Sequence, residues 1–311
     1  MGMELRLDRI EELSRTIDPR FRDSPQFTVD HGGRPVLVKI ETMNPLRCFK
    51  GRGASAFAAS ADPDVTVVVA SSGNFGQAMA YACGTRGIAT EVFLPEDVNP
   101  TKLAAIRSFG AKVHLSGVDT DATKKHAREY AAERSDRLLI RDGAESLIAE
   151  GAGTIGVELL RDGPLDTVVV QVGDGALING IARWIKANSP STRVVGVCAT
   201  GAPAMLHSWR TGEPVEHAAT TVAEGIAIGS PLAESVRWMR NLVDDIVLVD
   251  DSALFTAMGQ ALRGFGVFLE PSGAAGLAAL TEHDLPGERI AVVLTGGNAR
   301  PGQLEQVVAS K

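Results

Sequence analysis

An α/β fold in two lobes, with helices flanking twisted parallel sheets, is the architecture this sequence predicts, and three observations carry that prediction. Short runs rich in Val, Ile and Leu alternate with helix-length segments along most of the 311 residues. The runs are continuously apolar rather than alternately apolar and polar, as expected of strands buried on both faces of a parallel sheet. No Pro/Ser-rich linker, low-complexity tract or internal repeat divides the chain. Two lobes, which a chain of this length can fill, are therefore interleaved rather than strung in series.

The strands are expected at 35–40, 65–70, 90–94, 112–115, 137–140, 167–172, 193–198, 246–249 and 290–294. Between them, 74–83, 101–109, 121–134 and 177–187 read as helices, and Gly, Pro and Asp gather at the junctions. Strand, crossover helix, strand is the doubly wound pattern. Within 121–134, Lys124-Lys125-His126-Ala127-Arg128-Glu129 reads as a solvated helix face.

Composition narrows the class. Hydrophobic residues make up 44% and charged residues 22%, an ordinary globular balance. The formal net charge is −7, and no basic stripe suits a nucleic-acid backbone. The first twenty residues mix charged and apolar types without a signal-peptide core, and no apolar run nears the ~20 residues that cross a bilayer. Cys48, Cys83 and Cys198 are odd in number and widely spaced, which suits reduced thiols and a cytoplasmic setting. The six histidines, His31, His114, His126, His207, His217 and His283, never pair at metal-ligand spacing. Structural or surface roles are expected for them, with most exposed.

Three glycine-rich turns stand at the carboxyl ends of strands, the place where open parallel sheets bind ligands. They are Ser71-Ser72-Gly73-Asn74, Gly173-Asp174-Gly175-Ala176 and Thr295-Gly296-Gly297-Asn298. The first two each precede a helix, whose free amides and positive end make an anion site. For the second, a dinucleotide fingerprint would need glycine at position 178, where Ile178 stands, and an acidic residue near Cys198 or Ala199. A Walker loop would need lysine after Gly180, where Ile181 stands. A single phosphate cradled by Gly173 to Ala176 remains, beside the plainer reading of a turn that packs helix on strand.

Lys50 lies in Cys48-Phe49-Lys50-Gly51-Arg52-Gly53, after Asn44-Pro45. An amine withdrawn from water gives up its proton more readily, and the neutral amine is what condenses with a carbonyl. Glycines beside it allow close approach of a backbone or ligand. Taken alone, these residues leave both a surface charge and a reactive amine open.

Together the segments are more specific. Glu41-Thr42-Met43-Asn44-Pro45 leading into Phe49-Lys50-Gly51-Arg52-Gly53 resembles the cofactor-lysine segment of fold-type II pyridoxal-phosphate enzymes, the tryptophan synthase beta-like fold. Ser71-Ser72-Gly73-Asn74-Phe75-Gly76-Gln77 is similar to that family's substrate-carboxylate loop, and Gly173-Asp174-Gly175-Ala176-Leu177 to its phosphate cup. Glu270-Pro271-Ser272-Gly273-Ala274 and Thr295-Gly296-Gly297-Asn298 match two segments near the pyridine ring. Five motifs in the family's order span nearly the whole chain. The threonine/serine dehydratase and serine racemase branch is the one most resembled; Gly201-Ala202-Pro203-Ala204-Met205 and Glu224-Gly225-Ile226-Ala227 are familiar from it.

The resemblance implies a large cofactor-binding domain of residues 1–52 and 142–311, with a small domain of 53–141 set into it. It implies pyridoxal 5'-phosphate on Lys50 as a Schiff base, with Lys50 later acting as the base at Cα. Phe49 would lie beside the cofactor, and Asn74 would hydrogen-bond its ring hydroxyl. Gly173, Asp174, Gly175 and Ala176 would hold the phosphate through their amides, with Leu177 just beyond, and Thr295 would face the pyridine nitrogen. Ser71, Ser72, Gly73 and Gln77 would surround the substrate carboxylate. In racemases that look like this chain, a serine at position 72 exchanges a proton from the face opposite Lys50. A homodimer is usual in the family.

A hydroxyl at the pyridine nitrogen leaves the ring a milder electron sink than a carboxylate would, which favours elimination over transamination. The implied activity is β-elimination from serine, threonine or 3-hydroxyaspartate, giving a 2-oxo acid and ammonia. Racemisation in the same site, β-replacement of the cysteine-synthase kind and a catalytically weak cofactor-binding relative are the alternatives. Several positions depart from the pattern. Arg47 and Cys48 stand where small residues and a serine are usual, so Cys48 is either a steric replacement or a reactive thiol. Phe75 replaces a His or Thr and makes the pocket wall more apolar. Asp174 puts a carboxylate into a phosphate cup, where it is expected to point away or to bond a helix amide. Cys198 and Ala204 occupy what relatives use as acidic cation ligands, so no metal is expected. The chain ends near the Thr295 motif, so no appended regulatory domain is expected.

Overall fold

A computed structural model describes residues 4–98, 100–118 and 120–309. In chain order its elements are α1 (Leu7–Thr16), β1 (Gln26–His31), β2 (Arg34–Ile40), α2 (Lys50–Ser60), β3 (Thr66–Ala70), α3 (Asn74–Gly84), β4 (Thr90–Leu94), α4 (Pro100–Ser108), β5 (Lys112–Leu115), α5 (Thr120–Ala132) and β6 (Arg137–Ile140). The second half adds α6 (Ser146–Leu159), β7 (Thr167–Gln171), α7 (Ala176–Asn188), β8 (Arg193–Ala199), α8 (Ala204–Thr211), α9 (Ala233–Leu242), β9 (Asp245–Val249), α10 (Asp251–Phe265), α11 (Pro271–Glu282), β10 (Ile290–Leu294) and α12 (Pro301–Ala309).

Two sheets result, one of six strands ordered β1-β2-β10-β7-β8-β9 and one of four ordered β5-β4-β3-β6. Every pairing is parallel except β1 with β2. The α/β class with mostly parallel, helix-flanked sheets is thus what the chain adopts. All nine anticipated strands form, each within about two residues of its expected ends. The central strands β7 and β10 are buried at every position, because helices cover both faces. The strand that apolar runs could not announce is β1, Gln-Phe-Thr-Val-Asp-His, a half-exposed edge strand. It folds back on β2 through Gly32-Gly33, both at positive φ, as a two-residue hairpin turn requires.

The six-stranded sheet is built from residues on both sides of the four-stranded one in sequence, with 26–40 and 167–294 in the first and 66–140 in the second. Helices α2, α6 and α7 pack in the middle. Their backbones touch: a Cβ on Gly151 would lie 2.7 Å from the Gly53 Cα and 2.8 Å from the Arg52 carbonyl oxygen. This close approach fixes the N-terminus of α2, which begins with Lys50, against the layer that carries α7.

Beneath that N-terminus lies a fully buried ion cluster. Arg52 makes two paired contacts to each of two carboxylates, Glu41 (2.8 and 2.8 Å) and Glu158 (2.7 and 2.9 Å), and also reaches the Thr154 hydroxyl at 2.9 Å. Lys39 joins Glu158 at 2.5 Å and donates to the Ser24 carbonyl at 2.6 Å. The histidines are less exposed than expected. His31, His114, His207 and His283 are half-buried, and His283 bonds the Leu248 carbonyl at 2.7 Å. Among the described residues, no helix is long and apolar enough to cross a membrane.

Candidate active site

The carboxyl ends of β3, β6, β7 and β10 converge on one cavity of about 920 Å³. Ser71, Ser72, Gly73, Asn74 and Phe75 line it from the start of α3; Gly173, Asp174, Gly175, Ala176 and Leu177 line it from the start of α7. Phe49, Lys50 and Thr295 complete the wall. The three turns singled out in the sequence, and the lysine, therefore share one space. Gln77 is the exception. It is buried in α3 and does not line the cavity, so packing, not the cavity wall, occupies the side chain expected at a substrate carboxylate.

The second turn has the form of an anion cradle. Gly175 has φ +95°, and a Cβ there would collide with the Ser235 hydroxyl, so only glycine is accommodated. A Cβ on Gly173 would collide with the Gly225 carbonyl. Among the described residues the amides of Gly173, Asp174 and Gly175 have no hydrogen-bond acceptor. The first-turn amides of α7 add donors that a helix cannot use itself.

Lys50 Nζ pairs with Asp142 Oδ2 and lies 4.6 Å from the Phe49 ring centroid and 5.8 Å from that of Phe75. Asp142 Oδ1 is buried with no partner. Of the two arrangements expected for the Asp174 carboxyl, the hydrogen bond from a helix amide is not made among the described residues; the carboxyl interacts electrostatically with Asp142, Lys124 and Lys50. Burial, then Asp142, push it up to about 6, against the pull of Lys124 and Lys50. The loop after β6 packs onto the cup, where a Cβ on Gly143 would collide with the Asp174 carbonyl.

At the opposite end Thr295 is buried and accepts a 2.8 Å hydrogen bond from Gln171 Nε2, which leaves its own proton to give. Contacts from the same Nε2 to the carbonyls of Ser272 (2.9 Å) and Val293 (3.1 Å) fix the amide's orientation. Asn74 donates to Glu270 Oε1 at 2.7 Å and accepts from Asn298 at 2.8 Å. Burial pushes the Glu270 carboxyl up while the Asn74 bond opposes it. Ser71 Oγ accepts from the Gly73 amide at 3.3 Å, whereas the Ser72 hydroxyl has no partner among the described residues.

Cys48 is fully buried, and burial pushes its thiol up to about 12, which removes the thiolate that a reactive cysteine needs. Of its two readings, steric replacement is the one its surroundings favour. Cys198 is equally buried and also pushed up to about 12 by burial. Among the described residues no group of three or more His, Cys, Asp or Glu side chains is arranged to hold a metal.

Sequence reasoning missed Asp142, Gln171 and the role of Glu270. Gln171 left a signal, a lone amide closing an otherwise apolar strand. Asp142 left none, since Arg141-Asp142-Gly143 reads like any polar junction.

A family model described as pyridoxal-phosphate dependent enzyme matches residues 19–296. An L-threonine ammonia-lyase from Geobacter sulfurreducens is 35% identical over 274 residues, covering 86% of this chain and 68% of the relative. A biosynthetic L-threonine dehydratase from Salmonella typhimurium is 34% identical over 85% of this chain, which spans only 53% of that protein. The solved structure of maize serine racemase superposes with a TM-score of 0.89 at 28% identity, covering 99% of this chain and 97% of that one.

Proposed function

This chain belongs to the pyridoxal-phosphate dependent enzymes, and on that premise we propose that it is an ammonia-lyase of the threonine/serine dehydratase type. The residues present fit the cofactor. A turn packed too closely for any side chain at Gly173 and Gly175 offers unpaired amides for the phosphate, among the described residues. Lys50 offers the amine for the aldehyde, with Phe49 beside it, and Thr295 offers a hydroxyl proton for the pyridine nitrogen. The Asn74 amide keeps one N–H beyond its bond to Glu270 and would use it on the ring hydroxyl. When bound, the cofactor supplies an electron sink that makes the α-proton of an amino acid removable.

The chain's own residues then divide the work. Ser71, Ser72 and Gly73, at the positive end of α3, hold the substrate carboxylate. Phe49 and Phe75 set two aromatic rings beside the lysine amine. Lys50 Nζ takes the α-proton. Thr295, a neutral donor set by Gln171, would moderate the electron sink and so favour loss of the β-hydroxyl, which leaves as water with the proton that Lys50 took from Cα; hydrolysis then yields the 2-oxo acid and ammonia. The observation that carries the proposal is the convergence of Lys50, the anion cradle and Thr295 on a single cavity. Likeness to two threonine-deaminating enzymes supports the same substrate class.

The purified protein, loaded with cofactor and given serine, threonine and 3-hydroxyaspartate, should release ammonia and a 2-oxo acid from at least one. Lys50→Ala should lose both this turnover and the visible absorbance of the lysine-bound cofactor. Turnover retained without that absorbance would sink the proposal. Racemisation is a second reading, favoured by the unpartnered Ser72 hydroxyl in the cavity wall and by the likeness to serine racemase. Appearance of the mirror-image amino acid, lost in Ser72→Ala by a far larger factor than elimination, would support it.

A further inference from the structure

The Asp174 side chain takes no part in the chemistry assigned to the rest of the cup. It places a carboxyl where an anion is to be gripped, in the wall of the cavity and within electrostatic reach of three charged groups that line the same space. The loop after β6 leaves little freedom there: a Cβ on Gly143 would lie 3.0 Å from that of Asp174. The charged groups facing this carboxyl are Asp142 from that loop, Lys50 at the start of α2 and Lys124 on α5. Arg128, one turn further along α5, and Arg141 also line the cavity, and Arg141 leans 3.8 Å from Glu234 of α9. Lys50 is the partner of Asp142.

Loading the site changes this balance in one direction. With the Lys50 amine held by the cofactor aldehyde, Asp142 would lose the free ammonium it pairs with. A phosphate held by the cup would add negative charge beside both carboxyls. Three anionic groups would then face one another in a partly dehydrated space, where like charges are strongly unfavourable. Taking up one proton from solvent removes the conflict and converts a repelling oxygen into an O–H donor. Resting on the cofactor reading above, we infer that Asp174 occupies the loaded cup as a neutral carboxyl that donates its proton to the phosphate, with the Asp142 charge keeping that proton in place. Asp174 is thus a cofactor-binding side chain as well as a backbone amide. The unliganded carboxyl, already raised to about 6, is poised to take the proton at neutral pH.

The test is calorimetric titration of cofactor-free protein with pyridoxal phosphate at neutral and mildly alkaline pH, in buffers of different ionisation enthalpy. Wild type should take up about one more proton than Asp174→Asn, and its affinity should fall about tenfold more per pH unit. Asp174→Gly, which restores a plain glycine cup, should match the Asn variant and covers the case in which the asparagine disturbs folding. Equal proton uptake and equal pH slopes in wild type and both variants would overturn the inference. Absence of any visible cofactor band in wild type would instead overturn the cofactor reading itself, so the two failures are distinct.

Discussion

Two clusters of carboxylates and cations flank the first turn of α2, and they differ in what is left unsatisfied. Behind the helix, Arg52, Lys39, Glu41 and Glu158 are all buried, and Arg52 alone makes four bonds to the two carboxylates. In front of it, Lys50, Asp142 and Asp174 border the cavity; one Asp142 oxygen has no partner and the Asp174 carboxyl is raised. In the rear cluster every charged side chain is paired within the protein, so its work is to hold position. The front cluster has hydrogen-bonding capacity that no protein group satisfies among the described residues, and such capacity marks functional sites. A single residue, Gly51, separates Lys50 from Arg52, yet composition alone would rank them as equivalent cations.

Removing the centre of the rear cluster should give the largest stability effect. Arg52→Ala leaves Glu41 and Glu158 buried with Lys39 as the remaining cation, a loss expected at about 3–5 kcal/mol. Denaturant midpoints with an unchanged slope would measure it. A loss below about 1 kcal/mol would mean that water or a neighbour fills the gap, and the contrast between closed and open clusters would fall.

The same contrast explains what was legible in the sequence. Strands such as Val-Thr-Val-Val-Val-Ala could be placed because burial on both faces leaves only apolar types, a purely local signal. The turns at Ser71, Gly173 and Thr295 were legible because close backbone approach demands glycine or small residues at fixed offsets. Partnerships across the fold were not. Nothing local links Arg52 to Glu158 or Lys50 to Asp142, which lie 106 and 92 residues apart. The edge strand β1 was missed for the opposite reason, since half-exposed strands carry polar residues that mimic loops.

Acid titration separates the clusters by sign, with a smaller effect. Burial alone would raise the Glu158 carboxyl, but hydrogen bonds and charge from Arg52, and then Lys39, outweigh it and hold it at about 2. A carboxylate depressed below its unfolded value contributes stability at neutral pH that is lost as pH falls from about 4.5 toward 2. Glu158→Gln should flatten that limb of the stability profile, by an amount on the order of 2 kcal/mol. Asp174 is displaced the other way, so its ionisation opposes folding above about pH 6 and the opposition is relieved as pH falls toward 4. An acid limb identical in wild type and Glu158→Gln would remove Glu158 from the account.

The smallest stability change belongs to Asp142→Asn, and its smallness is the point. The substitution deletes one ion pair to Lys50, which alone would be unfavourable because that pair is mostly buried, with side chains 16% and 9% exposed. Two effects offset the loss. Asp174 is already within electrostatic reach of Lys50 and becomes its counter-charge, and the repulsion between the two carboxylates disappears. The net change should stay within about 1 kcal/mol near neutral pH. With Asp142 gone, the Asp174 carboxyl should move down toward its ordinary range, so the relief of folding between pH 6 and 4 should shrink in this variant. Stability measured by denaturant midpoint at several pH values checks both statements. A neutral-pH loss as large as that of Arg52→Ala would mean that Asp142 is held by the fold as tightly as Glu158. The front cluster would then be a second structural lock, with no capacity waiting for a ligand.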